Sequence, residues 1–190
     1  MPRPGTGRRS KAKSDSWPAT CCRRSGPCSI GGARVFEIEI EGEQRQEAVG
    51  GCLALNCAPP FIVYLEGELG TGKTTLVRGF LRQLGYRGRV KSPTYTLLEP
   101  YELGGRSYYH FDLYRLSDPK ELDYLGIEDL LAEDALLLIE WPERGAGLLP
   151  RADLRIRIGY REAARGLSFS AETERGAASL PRLKEALEKV

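Results

Sequence analysis

The most informative part of this 190-residue chain is the stretch FIVYLEGELGTGKTT at residues 61–75. Its first six residues are apolar, aromatic or β-branched up to a terminal glutamate, which predicts a buried β-strand. Gly67, Gly72, Lys73 and Thr74 then match the phosphate-loop pattern G-x-x-x-x-G-K-[ST]. A strand that runs directly into this pattern predicts a loop that binds phosphate groups.

A helix is predicted directly after the loop. Its apolar residues are spaced three and four positions apart, which places them on one helical face, and Gly85 is suited to end the helix. These residues are Val77, Phe80, Leu81 and Leu84. The alternative, a glycine-rich turn that contains Lys-Thr by chance, accounts for neither the strand nor the helix that flank the loop.

The loop has the composition that phosphate binding requires. Glycine at positions 67, 70 and 72 lets the backbone curl so that successive N–H groups point at an anion, and the helix N-terminus adds partial positive charge. We expect Lys73 to reach the β- and γ-phosphates and the Thr74 hydroxyl to bind Mg²⁺. The sequence therefore predicts nucleotide binding.

A second strand, ALLLIE at residues 135–140, is fully apolar until its terminal acid. This pattern is typical of a strand buried in a parallel sheet, with its carboxylate emerging beside the phosphate loop. Glu140 would there hold Mg²⁺, directly or through water, or polarise the attacking water. The alternative is a solvated glutamate at a strand end.

A third strand is predicted at residues 108–114, with His110 and Asp112 on one face. A carboxylate after such an aromatic strand has to be paired, bound to metal or at the strand's end, so Asp112 is a candidate site residue. His110 is predicted to be a packing residue. The hydroxyl-rich loop at 90–98 either contacts the γ-phosphate or its metal, or is an ordinary junction between loop and strand.

Composition separates the N-terminal segment from the rest. Residues 1–33 contain seven basic residues and one acidic residue, so residues 34–190 have a net charge of −4 within a whole-chain charge of +2. Residues 1–33 also have almost no aliphatic side chains, which predicts a disordered basic extension. Residues 34–190 are predicted to form one domain. Their net negative charge does not indicate the basic surface that general nucleic-acid binding requires.

The cysteines and the hydropathy of the chain indicate where in the cell the protein is located. The five cysteines are an odd number without a secretory signal, which favours a reducing, cytoplasmic setting. Cys21, Cys22 and Cys28 are poorly spaced for zinc. No apolar run approaches 18 residues, so no membrane span is expected.

The remaining elements follow from local patterns. We expect a strand at 36–40, a helix at 43–56, two short helices near 121–131 and a hairpin at 154–169. Ser179 is predicted to cap a final amphipathic helix.

Several motifs together resemble the bacterial TsaE (YjeE) family, in matching order and spacing from about Arg34 to the strand near Ile158. They are GELGTGKTT at 67–75, KSPTYTL at 91–97, EPY at 99–101, HFDLYR at 110–115, GI at 126–127 and EWP at 140–142. With these motifs, the predicted fold is an α/β three-layer sandwich of the P-loop NTPase type. It has a central mixed sheet, flanking helices and a C-terminal hairpin.

The resemblance implies a small cytoplasmic P-loop ATPase, with ATP and Mg²⁺ as cofactors, that is required for N6-threonylcarbamoyladenosine at position 37 of tRNA. In that family the protein is not the transferase. It binds the TsaB–TsaD pair, which ATP binding and hydrolysis reset between turnovers, so tRNA would be contacted through the complex.

The resemblance also assigns site residues. Those that would hold the phosphates are Gly70, Thr71, Gly72, Lys73, Thr74 and Thr75. Thr74 and Glu140 would bind Mg²⁺, and the catalytic residues would be Lys73, Asp112 and Glu140.

Three further segments are implied. Trp141 and the loop at 92–96 would belong to a nucleotide-sensitive surface. Glu43 aligns with a family segment near the base of the nucleotide, although the neighbouring Gln46 replaces a commoner threonine.

Two other interpretations stay open. A small-molecule phosphotransferase on the same fold would need an arginine lid and an acceptor pocket, for which Arg144 and Arg151 are the candidates. A regulatory scaffold would bind ATP with little turnover. A GTPase is disfavoured because the chain has no Asn/Thr-Lys-x-Asp motif that would read guanine.

Overall fold

The computed structural model describes residues 28–30, 33–119, 121–132 and 134–190. The strands are β1 (Cys28–Ile30), β2 (Ala33–Ile40), β3 (Phe61–Glu66), β4 (Leu98–Leu103), β5 (Arg106–Asp112), β6 (Ala135–Glu140), β7 (Leu154–Arg161) and β8 (Ala164–Ala171). The helices are α1 (Gly42–Asn56), α2 (Lys73–Gln83), α3 (Glu121–Tyr124), α4 (Ile127–Ala132) and α5 (Glu174–Leu187), and a 3₁₀ turn spans Pro142–Gly145.

The strands form one mixed sheet in the order β1-β2-β8-β7-β3-β6-β5-β4. Strand β3 runs parallel to β6 and β7, and β5 runs parallel to β6. The register pairs Leu65 with Glu140 and Glu140 with Asp112. The carboxyl ends of β3, β6 and β5 therefore meet at one edge of the sheet, which is where open α/β sheets bind ligands.

Helices cover both faces of the sheet, and alternate residues of β6 enter two different cores. Leu136 and Leu138 pack with residues of α1, α2 and α5. Leu137 and Ile139 pack with residues of α3 and α4 on the opposite face. The protein is therefore a three-layer α/β sandwich, as the sequence predicts.

Helices α1 and α2 are in backbone contact at two glycines. A Cβ at Gly50 would lie 2.0 Å from the carbonyl oxygen of Leu76, and one at Gly79 would lie 2.0 Å from that of Glu47. No larger residue fits at either position without separating the helices. This close packing brings α1 beside the loop from which α2 begins.

The strong local patterns predicted their elements correctly. Residues 61–66 and 135–140 are strands, and α2 begins at Lys73, directly after the loop. Gly85 has a φ of +95° just past the end of α2, as a helix-terminating glycine requires. The C-terminal hairpin is β7 and β8, and α3 and α4 are the two short helices.

The predicted cap at Ser179 is wrong. Helix α5 begins at Glu174, and its N-cap is Thr173, whose hydroxyl accepts a hydrogen bond of 3.1 Å from the N–H of Gly176. Ser179 is buried inside the helix and donates to the carbonyl oxygen of Gly176. A Cβ at Gly176 would lie 1.9 Å from the carbonyl oxygen of Asp153, so the first turn of α5 packs tightly against the start of β7.

Most of the N-terminal segment lies outside the described residues, and so does the prediction that it is disordered. Within residues 1–33, the strand Cys28–Ile30 pairs with Ala33–Val35, so strand structure begins before Arg34. In the described part of the chain, no helix has the length and apolar character that crossing a membrane requires.

Candidate functional site

The loop after β3 has a backbone conformation that depends on glycine. Gly67, Gly70 and Gly72 have φ values of +142°, +79° and +94°, which other residues rarely adopt. A Cβ at Gly67 would lie 2.2 Å from the carbonyl oxygen of Ile158, and one at Gly72 would lie 2.4 Å from Oε1 of Gln46. The glycine spacing that suggested a phosphate loop is therefore required by the backbone itself.

Lys73, the first residue of α2, is buried beneath this loop. Its Nζ donates hydrogen bonds to the carbonyl oxygens of Gly67, at 2.7 Å, and Glu68, at 3.0 Å. Burial lowers the pKa of the amine below its ordinary value, and the carboxylates of Glu140, Asp112 and Glu143 oppose that shift. The structure thus places the predicted lysine at the loop, among the site's carboxylates.

Thr74 and Glu140, which the resemblance assigns to one metal site, are in direct contact. The Thr74 hydroxyl donates a hydrogen bond of 2.8 Å to Oε1 of Glu140. Nε2 of His110 lies 2.8 Å from the same oxygen, and because a carboxylate only accepts, His110 donates there. His110 is fully buried, and its Nδ1 has no hydrogen-bond partner among the described residues.

His110 is therefore more than the packing residue that the sequence predicted. Strand β5 places it beside the strand-end carboxylate of β6. A single sequence carries a weak signal for this role, namely a histidine two positions before an acid at the end of a strand.

Asp112 holds the hydroxyl-rich loop. Its Oδ2 accepts hydrogen bonds from Ser92 and, at 2.8 Å, from Thr94, and its Oδ1 accepts one of 3.0 Å from the N–H of Tyr114. Two of the loop's hydroxyls, which the sequence offers as contacts for phosphate or metal, therefore face Asp112 in this conformation. The loop that contains Tyr95 is tied to the carboxyl end of β5.

Gln46 is a site residue that the sequence reasoning missed. Its Nε2 donates to the carbonyl oxygens of Thr71, at 2.8 Å, and Gly72, at 3.1 Å. The sequence drew attention to this position only because glutamine replaces a commoner threonine there. Nothing in one sequence indicates that helix α1 comes within hydrogen-bond distance of a loop 25 residues away.

The side chains of Glu43 and Thr75 share a neighbour in α2. Glu43 forms an ion pair with Arg78 of α2, and 67% of its side chain is exposed. Nη2 of Arg78 is also 3.5 Å from the Thr75 hydroxyl. The structure brings Glu43 into contact with neither the loop nor the carboxylates, so its placement near the base of a nucleotide stays a prediction.

Trp141 follows Glu140 in a conformation that is rare for a large residue. Its φ is 58° and its ψ is 48°, in the left-handed region, and its N–H donates to the carbonyl oxygen of Leu65 across the sheet. Its ring centre lies 3.9 Å from Nζ of Lys73 and 4.9 Å from the ring centre of Tyr114. Backbone strain of this kind collects at functional sites.

The residues present fit a nucleotide with Mg²⁺. The curled glycine loop and the N-terminus of α2 suit an anion, and a hydroxyl beside a carboxylate supplies the oxygen ligands that Mg²⁺ prefers. The described residues contain no cluster of three or more His, Cys, Asp or Glu side chains suited to a metal. Mg²⁺ would therefore take its other ligands from water and phosphate, as it usually does in proteins.

This architecture defines the class of protein. A parallel strand that ends in a glycine loop and a helix, with an acid at the end of the neighbouring strand, is the arrangement of P-loop NTPases. The model of the protein family described as "Threonylcarbamoyl adenosine biosynthesis protein TsaE" matches residues 40–167. The chain belongs to the TsaE family.

Individual proteins agree with this assignment. The tRNA threonylcarbamoyladenosine biosynthesis protein TsaE of Haemophilus influenzae is 51% identical over 124 residues, which are 65% of this chain and 78% of the relative. The protein of the same name from Bacillus subtilis is 35% identical over 115 residues, 60% of this chain and 72% of the relative. A crystal structure of Bacillus YdiB superposes with a TM-score of 0.69 at 26% identity, covering 80% of this chain and 96% of YdiB.

Proposed function

We propose that this protein is a Mg²⁺-dependent ATPase that supports the formation of N6-threonylcarbamoyladenosine at position 37 of tRNA, acting with a TsaB–TsaD transferase complex. The family and the names of its members support the assignment to this pathway. The observation that carries the ATPase part is the 2.8 Å contact between the Thr74 hydroxyl and Glu140. It joins a phosphate-loop hydroxyl to a strand-end carboxylate.

The chain's own groups have distinct tasks in this proposal. The N–H groups of Gly70 to Thr75 bind the phosphates, and the buried amine of Lys73 adds a positive charge to them. Thr74 and Glu140 supply oxygen ligands to Mg²⁺. When it is bound, Mg²⁺ neutralises charge that develops on the phosphates during transfer.

Both carboxylates of the site are engaged in the observed conformation. Glu140 accepts hydrogen bonds from Thr74 and His110 at one oxygen, and Asp112 accepts from Ser92 and Thr94. A carboxylate that orients an attacking water needs a lone pair directed at it. Asp112 would have to release the hydroxyls of Ser92 and Thr94 to free Oδ2 for such a water, whereas both hydrogen bonds to Glu140 end on Oε1 and leave Oε2 for one.

The same observation favours a second candidate, the regulatory scaffold. If Asp112 keeps its hydrogen bonds to Ser92 and Thr94 throughout, the protein binds ATP and turns it over little. The phosphotransferase interpretation has less support, because the relatives are named for a tRNA modification.

Location and RNA contact belong to the same proposal. Cys52 and Cys57 are free thiols, which is compatible with the reducing cytoplasm. Residues 34–190 have a net negative charge, so we place the contact with tRNA on the transferase complex and not on this chain.

The test is ATP hydrolysis by the purified chain, alone and with purified TsaB–TsaD and tRNA. An ATPase of this pathway should hydrolyse ATP slowly alone and faster with the complex. Lys73→Ala should remove the activity, whereas Lys184→Ala, at an exposed lysine of α5, should not. Tight ATP binding with background turnover under both conditions would favour the scaffold.

A further inference from the structure

A buried amide joins helix α1 to the candidate phosphate loop. Gln46 is 5% exposed, and its single NH₂ group donates to two successive carbonyl oxygens of the loop, those of Thr71 and Gly72. We infer that Gln46 is a positioning residue that holds the loop in its anion-binding conformation. This inference rests on the proposed function, since it assumes that the loop binds nucleotide phosphates.

The geometry of the peptide bond connects these hydrogen bonds to phosphate binding. In a trans peptide, the carbonyl and the following N–H point in opposite directions. The carbonyl of Thr71 belongs to the same peptide as the N–H of Gly72, and the carbonyl of Gly72 to the same peptide as the N–H of Lys73. Gln46 holds the Thr71 carbonyl on its own side, and it holds the Gly72 carbonyl there together with the N–H of Leu76. Both following N–H groups are thereby directed to the other side, where a phosphate has to bind.

Gln46 is itself held in place from two directions. Helix α1 is fixed against α2 by the backbone contacts at Gly50 and Gly79. The amide of Gln46 also lies against the α-carbon of Gly72, where an added Cβ would be 2.4 to 2.6 Å from all three of its outer atoms. The side chain therefore fits one arrangement of the loop, and its two hydrogen bonds stabilise that arrangement.

A merely structural role for Gln46 predicts a different outcome. A buried amide that only satisfies two carbonyls would stabilise the fold, and its loss would lower the free energy of unfolding without changing the affinity of the folded protein for nucleotide. A positioning role predicts weaker nucleotide binding in a protein that is still folded.

The experiment uses the full chain and a fluorescent ATP analogue with Mg²⁺. Gln46→Met keeps the length and volume of the side chain but removes both donors. We expect about a tenfold weaker Kd, the equivalent of about 1.4 kcal/mol for the lost preorganisation of two hydrogen bonds. Gln46→Asn, whose amide is one methylene too short to reach both carbonyls, should weaken binding similarly and serves if the methionine variant does not fold.

Two controls make the outcomes distinct. Gln44→Met, the same substitution at an exposed position of the same helix, should leave the Kd unchanged, and circular dichroism and thermal unfolding report the folded fraction of each variant. A wild-type Kd in folded Gln46→Met or Gln46→Asn would overturn the inference while leaving the proposed function intact. Failure of the wild-type chain to bind the analogue would overturn both.

Discussion

Nε2 of His110 lies 2.8 Å from Oε1 of Glu140, and both side chains are buried at the meeting point of β5 and β6. The same oxygen accepts the Thr74 hydroxyl, so one carboxylate links three segments of the chain: β5, β6 and the start of α2. His110 thereby fixes the direction of the acid that we place beside Mg²⁺. Such outer hydrogen bonds orient ligands and tune metal sites.

Replacing His110 should impair hydrolysis more than nucleotide binding. In His110→Ala, Glu140 loses a buried hydrogen bond and gains rotational freedom, so we expect about a tenfold lower hydrolysis rate. Steady-state kinetics with the TsaB–TsaD complex would measure this, with nucleotide affinity determined separately. His110→Gln places an amide N–H where Nε2 was, and it should recover part of the rate. An alanine variant as active as the wild type would restrict His110 to packing.

Substitutions of Lys73 and of Glu140 should impair the protein in different ways. Lys73→Ala removes a positive charge from the loop and should weaken nucleotide binding by about 10- to 100-fold, the range of a lost charged hydrogen bond. Glu140→Ala should leave the affinity nearly unchanged and abolish hydrolysis. Isothermal titration calorimetry and phosphate release separate the two effects. Equal losses of affinity in both variants would contradict the roles assigned here.

The contact between α1 and α2 should be sensitive to a single methyl group. A Cβ at Gly79 would collide with the backbone of Glu47, so Gly79→Ala should destabilise the fold by about 1–3 kcal/mol. Gly51→Ala is the matched control, because its Cβ would first meet Oε1 of Gln83 at 3.4 Å, an ordinary contact. In a helix that substitution should be neutral or stabilising by about 0.4–1 kcal/mol. Urea unfolding measures both, and equal effects would argue against the close packing.

Glu172 should contribute stability that depends on pH. Arg155 binds it through two hydrogen bonds, and the hydrogen bond from Arg155 is the main cause that holds the pKa of Glu172 below its ordinary value of 4.5. A carboxyl whose folded pKa is lowered stabilises the protein above its unfolded pKa, and this contribution disappears as the pH falls through the folded pKa.

Glu172→Gln should therefore cost about 1 kcal/mol at pH 7 and progressively less below pH 4.5. Unfolding midpoints between pH 7 and 3 measure the difference from the wild type. Glu39→Gln, at an exposed position of β2, controls for the change in net charge. A cost that stays constant across this pH range would show that the ion pair is not its source.

The sequence predicts correctly those helices, strands and loops whose conformation is set by a strong local pattern of residues. A continuous apolar run of only six residues favours a buried strand at 135–140, and the G-x-x-x-x-G-K-T spacing between a strand and a helical face favours one arrangement for the loop. The prediction that Ser179 caps α5 was wrong because Thr173 is an equally good N-cap residue. The choice between them depends on the close approach of Gly176 to Asp153, which is a tertiary contact.

The site residues that were missed depend on contacts between distant segments. His110 meets Glu140 only because β5 and β6 pair in a register that places Asp112 opposite Glu140. Gln46 reaches the loop only because two glycines let α1 approach α2. Local periodicity specifies neither the register between strands nor the distance between helices, so one sequence could not reveal these contacts.

We expect threonylcarbamoyladenosine formation to depend on this protein and on nucleotide binding at its loop. The most direct test is the threonylcarbamoyladenosine content of total tRNA, measured by nucleoside mass spectrometry after the protein is depleted in its own cells. We expect the modification to be lost, and wild-type protein but not Lys73→Ala to restore it. An unchanged level after depletion would rule out the proposed function.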